Sequence, residues 1–404
     1  MKFPAINEQM DALKRGIDTL ISEDELVKKL QRAEKTNTPL KIKLGADPSR
    51  PDLHIGHAVP LRKLAQFQEF GHEIQLIIGD FTASIGDPTG KNKTRPPITL
   101  EQAREYGSSY MEQAKLILSD KNLNVVYNSD WLGKMTFHDV IKLSANYTVA
   151  QILERDDFSK RYKSGSPISL HEFLYPLAQG QDSVYLRSDV ELGGTDQLFN
   201  LLVGRELQRA NGLEPQVVMT FPLLEGTDGV EKMSKSLHNY IGLTDAPDQM
   251  YGKILSIPDE LIIKYFTLAT NMNLDEIQSL DDAMKKGENP RNVKRRLARD
   301  IIAIYYNVDK AQEAEKAFDN LFIKKDIPDD MPETHIKCAD EMKLISVLVE
   351  NQILSSNGEV RRMFKQNAIS INGEKESDEM YKFNECGEFV VKVGKRKFLR
   401  ILCV

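Results

Sequence analysis

From Lys41 to Val218 short β-like runs alternate with helical stretches, and that pattern leaves few options besides a mainly parallel α/β sheet. Lys41 to Leu44 alternates with period two, so Ile42 and Leu44 share one face and Lys43 points to the other. Ile74 to Ile78, Leu123 to Tyr127 and Val217 to Met219 read as apolar, buried-strand runs. Between them, Ala58, Leu61, Leu64 and Ala65 recur at helical spacing after His57. Thr99 with Gln102 forms a capping-box pattern that predicts a helix from Leu100 to Leu118.

A chain of 404 residues has room for two or three domains. The 41% hydrophobic and 28% charged content supports packed cores and excludes a disordered or collagen-like chain. The net charge of −6 excludes a whole-protein basic field for nucleic acid and leaves only a local basic face open. Cys338, Cys386 and Cys403 are odd in number and lack metal-ligand spacing, which predicts no disulfide framework and a reducing compartment. No apolar run reaches the roughly 18 residues of a membrane span. Pro4, Glu8 and Asp11 stand where a signal peptide needs an apolar stretch, so the expectation is a soluble, cytoplasmic protein with no membrane partner.

The pattern divides the chain into an α/β region at 1–222, a helical region at 223–323, a linker at 324–341 and a small α+β unit at 342–404. Leu261, Ile262, Tyr265 and Leu268, then Ile301, Ile302 and Tyr305, carry the helical periodicity. Pro328 and Pro332 among charges mark the linker. In the last unit a turn is expected at Asn372-Gly373, with β-like ends at Phe389 to Val393 and Phe398 to Leu402.

His54-Ile55-Gly56-His57 lies between the first strand and the first helix. Gly56 admits a ligand close to the backbone, the helix N-terminus favours anions, and two imidazoles suit phosphate oxygens. Alone, the tetrapeptide fits two loop histidines of no shared task equally well. Lys232-Met233-Ser234-Lys235-Ser236 follows a turn-rich Gly226-Thr227-Asp228-Gly229. Two lysines three apart suit a pyrophosphate whose charge rises during reaction, whereas a solvated basic loop is the plain alternative. Together the two motifs suit one nucleoside triphosphate, and as a pair they resemble the HIGH and KMSKS signatures of class I aminoacyl-tRNA synthetases. That resemblance implies a Rossmann-like catalytic domain.

Ser169 with Glu172 predicts a capped helix on which Tyr175, Gln179 and Asp182 share one face, with a kink expected at Pro176. A phenol, an amide and a carboxylate on one face suit a ligand carrying an ammonium and a hydroxyl at opposite ends; in an isolated helix they make a polar surface stripe. Gly193-Gly194-Thr195-Asp196-Gln197 precedes another helix, with Thr195 as its expected N-cap. Asp87-Pro88-Thr89-Gly90-Lys91 forms a further loop, followed by Arg95.

This combination resembles the bacterial tyrosyl-tRNA synthetase family over essentially the whole chain from Lys41. The resemblance implies that Asp87, Tyr175 and Gln179 hold a tyrosine ammonium, that Asp182 accepts the phenolic hydroxyl, and that Gln197 completes the pocket. It implies catalytic roles for His54, His57, Lys232 and Lys235 on the phosphates. ATP contacts would come from Asp47, Gly56, Gly194, Asp196 and Lys235, with Lys91 and Arg95 as helpers. Lys43 stands where many members carry a tyrosine that assists the hydroxyl, and this leaves open which group assists Asp182. ATP as a substrate, Mg2+ with the nucleotide, L-tyrosine and tRNA(Tyr) as partners, and a homodimer are implied in the same way. No dedicated protein metal site is expected.

Ser356-Asn357-Gly358-Glu359-Val360-Arg361-Arg362 and Ile369-Ser370-Ile371-Asn372-Gly373-Glu374 resemble the S4 RNA-binding domain. Arg361 and Arg362, with Lys392, Lys395, Arg396, Lys397 and Arg400 against the single acid Glu388, would form its phosphate-contacting face. A tryptophanyl relative is disfavoured by Asp182 with Gln197 and by the S4-like tail. A nucleotidylyltransferase for another acceptor is disfavoured by the helical region and that same tail. A non-catalytic RNA-binding paralogue is disfavoured by intact His54, His57, Lys232 and Lys235.

Overall fold

A computed structural model describes residues 3–48, 50–88, 98–326, 331–337, 342–383, 386–394 and 397–403. Within it the chain divides into two compact units, Met1–Glu313 and Ala314–Val404. The first is built on β1 (Thr19–Ile21), β2 (Lys41–Ala46), β3 (Glu73–Ile78), β4 (Leu123–Tyr127), β5 (Val190–Gly194) and β6 (Val217–Phe221). Their order is β1-β6-β5-β2-β3-β4, parallel throughout except for β1, which runs antiparallel to β6. The parallel α/β expectation holds, and β1 and β5 are strands that hydropathy did not single out.

Ile42, Lys43 and Leu44 are all buried, because β2 is central and its sheet is covered on both faces. The period-two reading nevertheless gave the direction of Lys43. Its ammonium donates to Gln179 O (3.1 Å) and Ser183 Oγ (2.7 Å) on the helix Leu170–Leu186. Gln75, its neighbour on β3, donates to Leu186 O on the same helix. The chain winds outward from β2 in both directions, so the switch point lies between β2 and β5. A crevice opens there at the strands' carboxyl ends, where Asp47 follows β2 and Gly194 ends β5.

The capping boxes at Thr99–Gln102 and Ser169–Glu172 are both formed. The helix Leu170–Leu186 continues through Pro176, where burial of Tyr175, Pro176, Leu177 and Ala178 offsets the missing backbone donor. One local expectation is corrected. Thr195 does not cap a helix; it opens the 3-10 turn Thr195–Gln197, and the following helix Leu198–Ala210 has Gln197 at its N-cap. Beyond Phe221 the expected helices form at Pro247–Leu255, Ile262–Ala269, Leu274–Lys285, Pro290–Tyr305 and Val308–Asp326. Tyr251, Tyr265, Phe266, Leu297 and Ile301 are fully enclosed among them.

The second unit carries β7 (Glu333–Ile336), β8 (Ile369–Ile371), β9 (Glu374–Lys375), β10 (Gly387–Val393) and β11 (Lys397–Cys403), in the order β7-β11-β10-β8-β9. Strand β7 lies inside the stretch expected to be a linker. Its polar sequence buries only Ile336, so it pairs with β11 through its backbone without an apolar signature. Asn372 and Gly373, with φ of 50° and 88°, turn β8 into β9 as expected. Leu344, Val347 and Leu348 on one helix, and Val360 and Phe364 on the next, close over Ile369, Val391, Leu399 and Ile401. Cys386 is disulfide-bonded, against the expectation of no disulfide framework, and Cys403 is buried. Among the described residues no helix is long and apolar enough to cross a membrane.

Leu348 has no exposed surface, so Leu348→Ala should cost about 2–5 kcal/mol through lost burial and an unfilled cavity. Hydrogen exchange should show the loss in amides of residues 344–403, while those of β2, β3 and β5 keep their protection.

Candidate active site

The crevice is a cavity of about 780 Å3 lined by Asp47, His54, Gly56, His57, Asp87, Tyr175, Gln179, Asp182, Gly194, Asp196, Gln197, Lys232 and Lys235. Thirteen residues singled out from the sequence therefore meet in one place. Lys91 and Arg95 lie outside the described residues, as do Lys395 and Arg396.

At the phosphate end, His54 caps the helix Ile55–Glu69, and its ring stacks on that of His57 at 3.7 Å. Gly56 makes this possible, because a Cβ there would come within 3.1 Å of the His54 ring. The His54 backbone N–H donates to His57 Nδ1 (3.3 Å), which leaves the proton of a neutral His57 on Nε2. Burial, then repulsion from His57, Lys235 and Lys232, pushes the His54 pKa far below its ordinary value. His54 is thus held as a neutral imidazole.

The lysine loop is tied down at several points. Ile55 N–H donates to Ile241 O, and Leu243 N–H to Leu53 O, which joins the start of the histidine helix to the chain after Lys235. Asn239, 3% exposed, braces the loop from inside. It accepts from Ser234 N–H (2.8 Å) and donates to Asp228 Oδ2 (2.7 Å) and to the carbonyls of Glu231 and Lys232. Lys232 Nζ pairs with Asp196 at 3.0 Å, and Lys235 Nζ lies 3.7 Å from Asp52. Burial pulls the Lys235 ammonium down to about 8, with Asp52 opposing and Arg50 reinforcing the shift.

At the other end of the crevice, Asp47 accepts from Tyr175 Oη (2.8 Å) and from Thr82 Oγ1 (2.7 Å). Gly79 gives it room, since a Cβ there would lie 2.0 Å from Asp47 Oδ1. Gln197 donates to Asp87 (3.1 Å), and Asn200 donates to both Gln197 Oε1 (3.0 Å) and Gln179 Oε1 (3.1 Å). Arg155, 5% exposed, donates to Asn200 Oδ1 (3.2 Å) and stands 3.7 Å from Asp87. Asp87, Gln179 and Gln197 therefore belong to one hydrogen-bonded set.

Asp182 is 3% exposed and accepts from Trp131 Nε1 (2.8 Å) and Asn128 Nδ2 (3.3 Å). Burial raises its pKa to about 7, against the pull of Lys43 and the two hydrogen bonds. Lys43 itself is withdrawn into an ion pair with Glu191 at 2.8 Å, both side chains fully enclosed. It acts on Asp182 through space, and the groups in hydrogen-bond contact with that carboxylate are Trp131 and Asn128.

Sequence reasoning missed Asn128, Trp131, Arg155, Asn200 and Asn239. Two of them carried a signal. Asn200 interrupts the apolar run Leu198-Phe199-Asn200-Leu201-Leu202, and Trp131 is the chain's single tryptophan. A polar residue inside an apolar helix face must find a buried partner.

Two stacked imidazoles, a two-lysine loop and a pocket with carboxylates at both ends thus lie together at the switch point of a parallel sheet. The model for tRNA synthetases class I (W and Y) matches residues 34–323, and that for the tyrosine–tRNA ligase SYY-like C-terminal domain matches residues 323–401. The chain is 51% identical to the tyrosine–tRNA ligase of Salinibacter ruber, over 99% of this chain and 98% of that protein. It is 52% identical to that of Thermotoga maritima, over 98% and 97%. A tyrosyl-tRNA synthetase structure from Archaeoglobus fulgidus, complexed with L-tyrosine, shares the fold at TM-score 0.63 and 24% identity, covering 77% of this chain and 99% of that one. The chain belongs to the tyrosine–tRNA ligase family of bacteria.

The raised pKa of Asp182 has a direct consequence for stability. A carboxyl that folding holds above its ordinary value of 3.8 loses stability for the fold as pH rises from about 4 through 7. Asp182→Asn should therefore raise the thermal midpoint relative to the parent, with a gap that opens across that interval and levels off above it. Three units correspond to at most about 4 kcal/mol. A constant gap from pH 4 to 8 would mean that Asp182 does not titrate there.

Proposed function

We propose that this chain joins L-tyrosine to tRNA(Tyr) in two steps, through tyrosyl-adenylate, with the residues of the crevice in the following roles. The carboxylate of tyrosine attacks the α-phosphate of ATP, and pyrophosphate leaves. No protein nucleophile is needed, so catalysis comes from positioning and from donors aimed at developing charge. His54, as a neutral imidazole, and His57 contact the phosphates. Lys232 and Lys235 leave Asp196 and Asp52 to meet the departing pyrophosphate, which then gives Asp196, with Gly194, to the ribose. Asp47 orients Tyr175 while lying beside the nucleotide, and Lys91 and Arg95 add positive charge.

Asp87, Tyr175, Gln179 and Gln197 take the ammonium end of the amino acid, and Asp182 accepts the phenolic hydroxyl. The observation that carries this reading is Asp182, enclosed and braced by Trp131 and Asn128 in the same cavity as the two histidines and two lysines. A phenylalanine ring there would leave that carboxylate without its ligand hydroxyl, which disfavours binding. Among the described residues no three His, Cys, Asp or Glu groups converge to hold a metal. Mg2+ would accompany the nucleotide and, when bound, neutralise phosphate charge.

The functional divisions remain 1–222, 223–323, 324–341 and 342–404; the first, and the second as far as Glu313, lie in one compact unit. Arg361 and Arg362 are 63% and 66% exposed and, with Lys397, suit RNA phosphates. A homodimer is supported by the helix Phe137–Ser144, which is amphipathic yet buries no residue. Phe137, Ile141, Val149, Tyr162 and Leu170 are exposed in the same segment. A cytoplasmic location belongs to the same proposal, with tRNA(Tyr) as the substrate that supports it.

Exchange of labelled pyrophosphate into ATP, run with each amino acid in turn and without tRNA, should proceed with tyrosine alone. Exchange with tryptophan instead would move the specificity, and none at all would sink the catalytic reading. Lys235→Ala should slow adenylate formation about 10²- to 10³-fold while tyrosine affinity stays nearly unchanged. Asp182→Ala should erode tyrosine-over-phenylalanine selectivity about 10- to 100-fold. Phe137→Asp should turn a dimer into a monomer in sedimentation.

A further inference from the structure

A second cavity, of about 130 Å3, lies in the first unit away from the chemistry already described. Arg15, Arg62 and Lys63 all line it, and no acidic side chain does. Arg62, Lys63 and the neighbouring Gln66 sit on the helix Ile55–Glu69, with Lys63 and Gln66 about 10 and 15 Å along its axis from Gly56. The cavity is thus at the end of that helix opposite His54. Val59 and Phe221 line both this cavity and the crevice, so the two share a wall.

The three cations have only neutral partners among the described residues. Arg15 Nη2 donates to the carbonyls of Phe266, Thr267 and Thr270 at the end of the helix Ile262–Ala269. Lys63 Nζ donates to Ala12 O (2.9 Å) and Arg15 O (3.0 Å) at the end of the helix Ile6–Lys14. Arg62 donates to Asn271 Oδ1. Each helix C-terminus brings roughly half a negative charge, so the two together offset about one of three positive charges. About two remain in a site where Lys63 is only 5% exposed. Buried charges are ordinarily paired, and here the described residues supply no counter-charge. Burial, then repulsion from Arg15 and Arg62, pulls the Lys63 ammonium down to about 7, a strain that an anion would relieve. Gln66 Oε1 is buried there without a hydrogen-bond partner, and turning the amide over would present its NH2 group to the cavity.

We propose that this cavity binds one phosphate dianion, held by Arg15, Arg62 and Lys63, at a site separate from the crevice. The cavity is too small for a nucleotide and suits a single tetrahedral oxyanion. Inorganic phosphate and a phosphate of an RNA backbone offer that same chemistry.

Binding of labelled inorganic phosphate to the full chain, at ionic strength held constant with chloride, tests the site. Lys232→Ala/Lys235→Ala removes binding in the crevice and should leave one saturable phosphate per chain. Arg62→Gln should weaken that binding at least about tenfold while pyrophosphate exchange continues. Gln66→Glu supplies a carboxylate from within, so it should abolish phosphate binding and raise the thermal midpoint in phosphate-free buffer. A purely structural role for the cations predicts no phosphate dependence in either measurement. If tRNA displaces the phosphate and Gln66→Glu also weakens tRNA binding, the occupant is a backbone phosphate; if phosphate stays bound beside tRNA, it is the free ion. The proposal is overturned if the chain with both loop lysines replaced binds no phosphate and Gln66→Glu leaves tRNA affinity unchanged. Binding that is equal in Arg62→Gln, Gln66→Glu and the parent overturns it as well.

Discussion

The ion pair of Lys43 with Glu191 sits where the sheet changes its winding direction. The two residues are directly opposite in the register of β2 and β5, and both side chains are enclosed. Their pairing fixes the two strands whose carboxyl ends open the crevice, and its remaining hydrogen-bonding capacity goes to Gln179 O, Ser183 Oγ and Gln216 Nε2. Removing one partner would leave the other charged and buried, which typically costs about 3–5 kcal/mol. The helix that carries Tyr175, Gln179 and Asp182 is anchored to the sheet by this pair. The proposed amino-acid pocket therefore rests on an ion pair turned away into the sheet–helix interface.

The parts of the candidate site proposed to bind charge were largely legible in the sequence, because anion recognition uses local patterns. The histidine tetrapeptide and the lysine loop each occupy a few consecutive residues. Tyr175, Gln179 and Asp182 share a helix face fixed by the period of 3.6. The residues that hold them are different. Asn128 and Trp131 come from the far side of the sheet's β4, Arg155 from a short helix pair and Asn239 from the chain after the loop. Their spacing in sequence has no period, and only tertiary packing brings them to Asp182, Asn200 and Ser234.

In the fold the same distinction applies. Strong apolar runs such as Ile74 to Ile78 gave their strands, whereas β1 and β7 were invisible, because a strand of three or four residues can pair by backbone alone. Lys43 shows the opposite case. The period of two gave its direction, but not the enclosed carboxylate of Glu191 with which it pairs.

Asn239 gives the lysine loop a particular mechanical character. With one buried amide joined to Asp228, Glu231, Lys232 and Ser234, the loop's internal shape is already fixed. Such a segment moves as a single piece about its ends rather than by sampling many backbone states. Under the proposed reaction, the conformational entropy that a slack loop would lose on meeting pyrophosphate has then been surrendered during folding, and more of the lysines' attraction is left for the transition state.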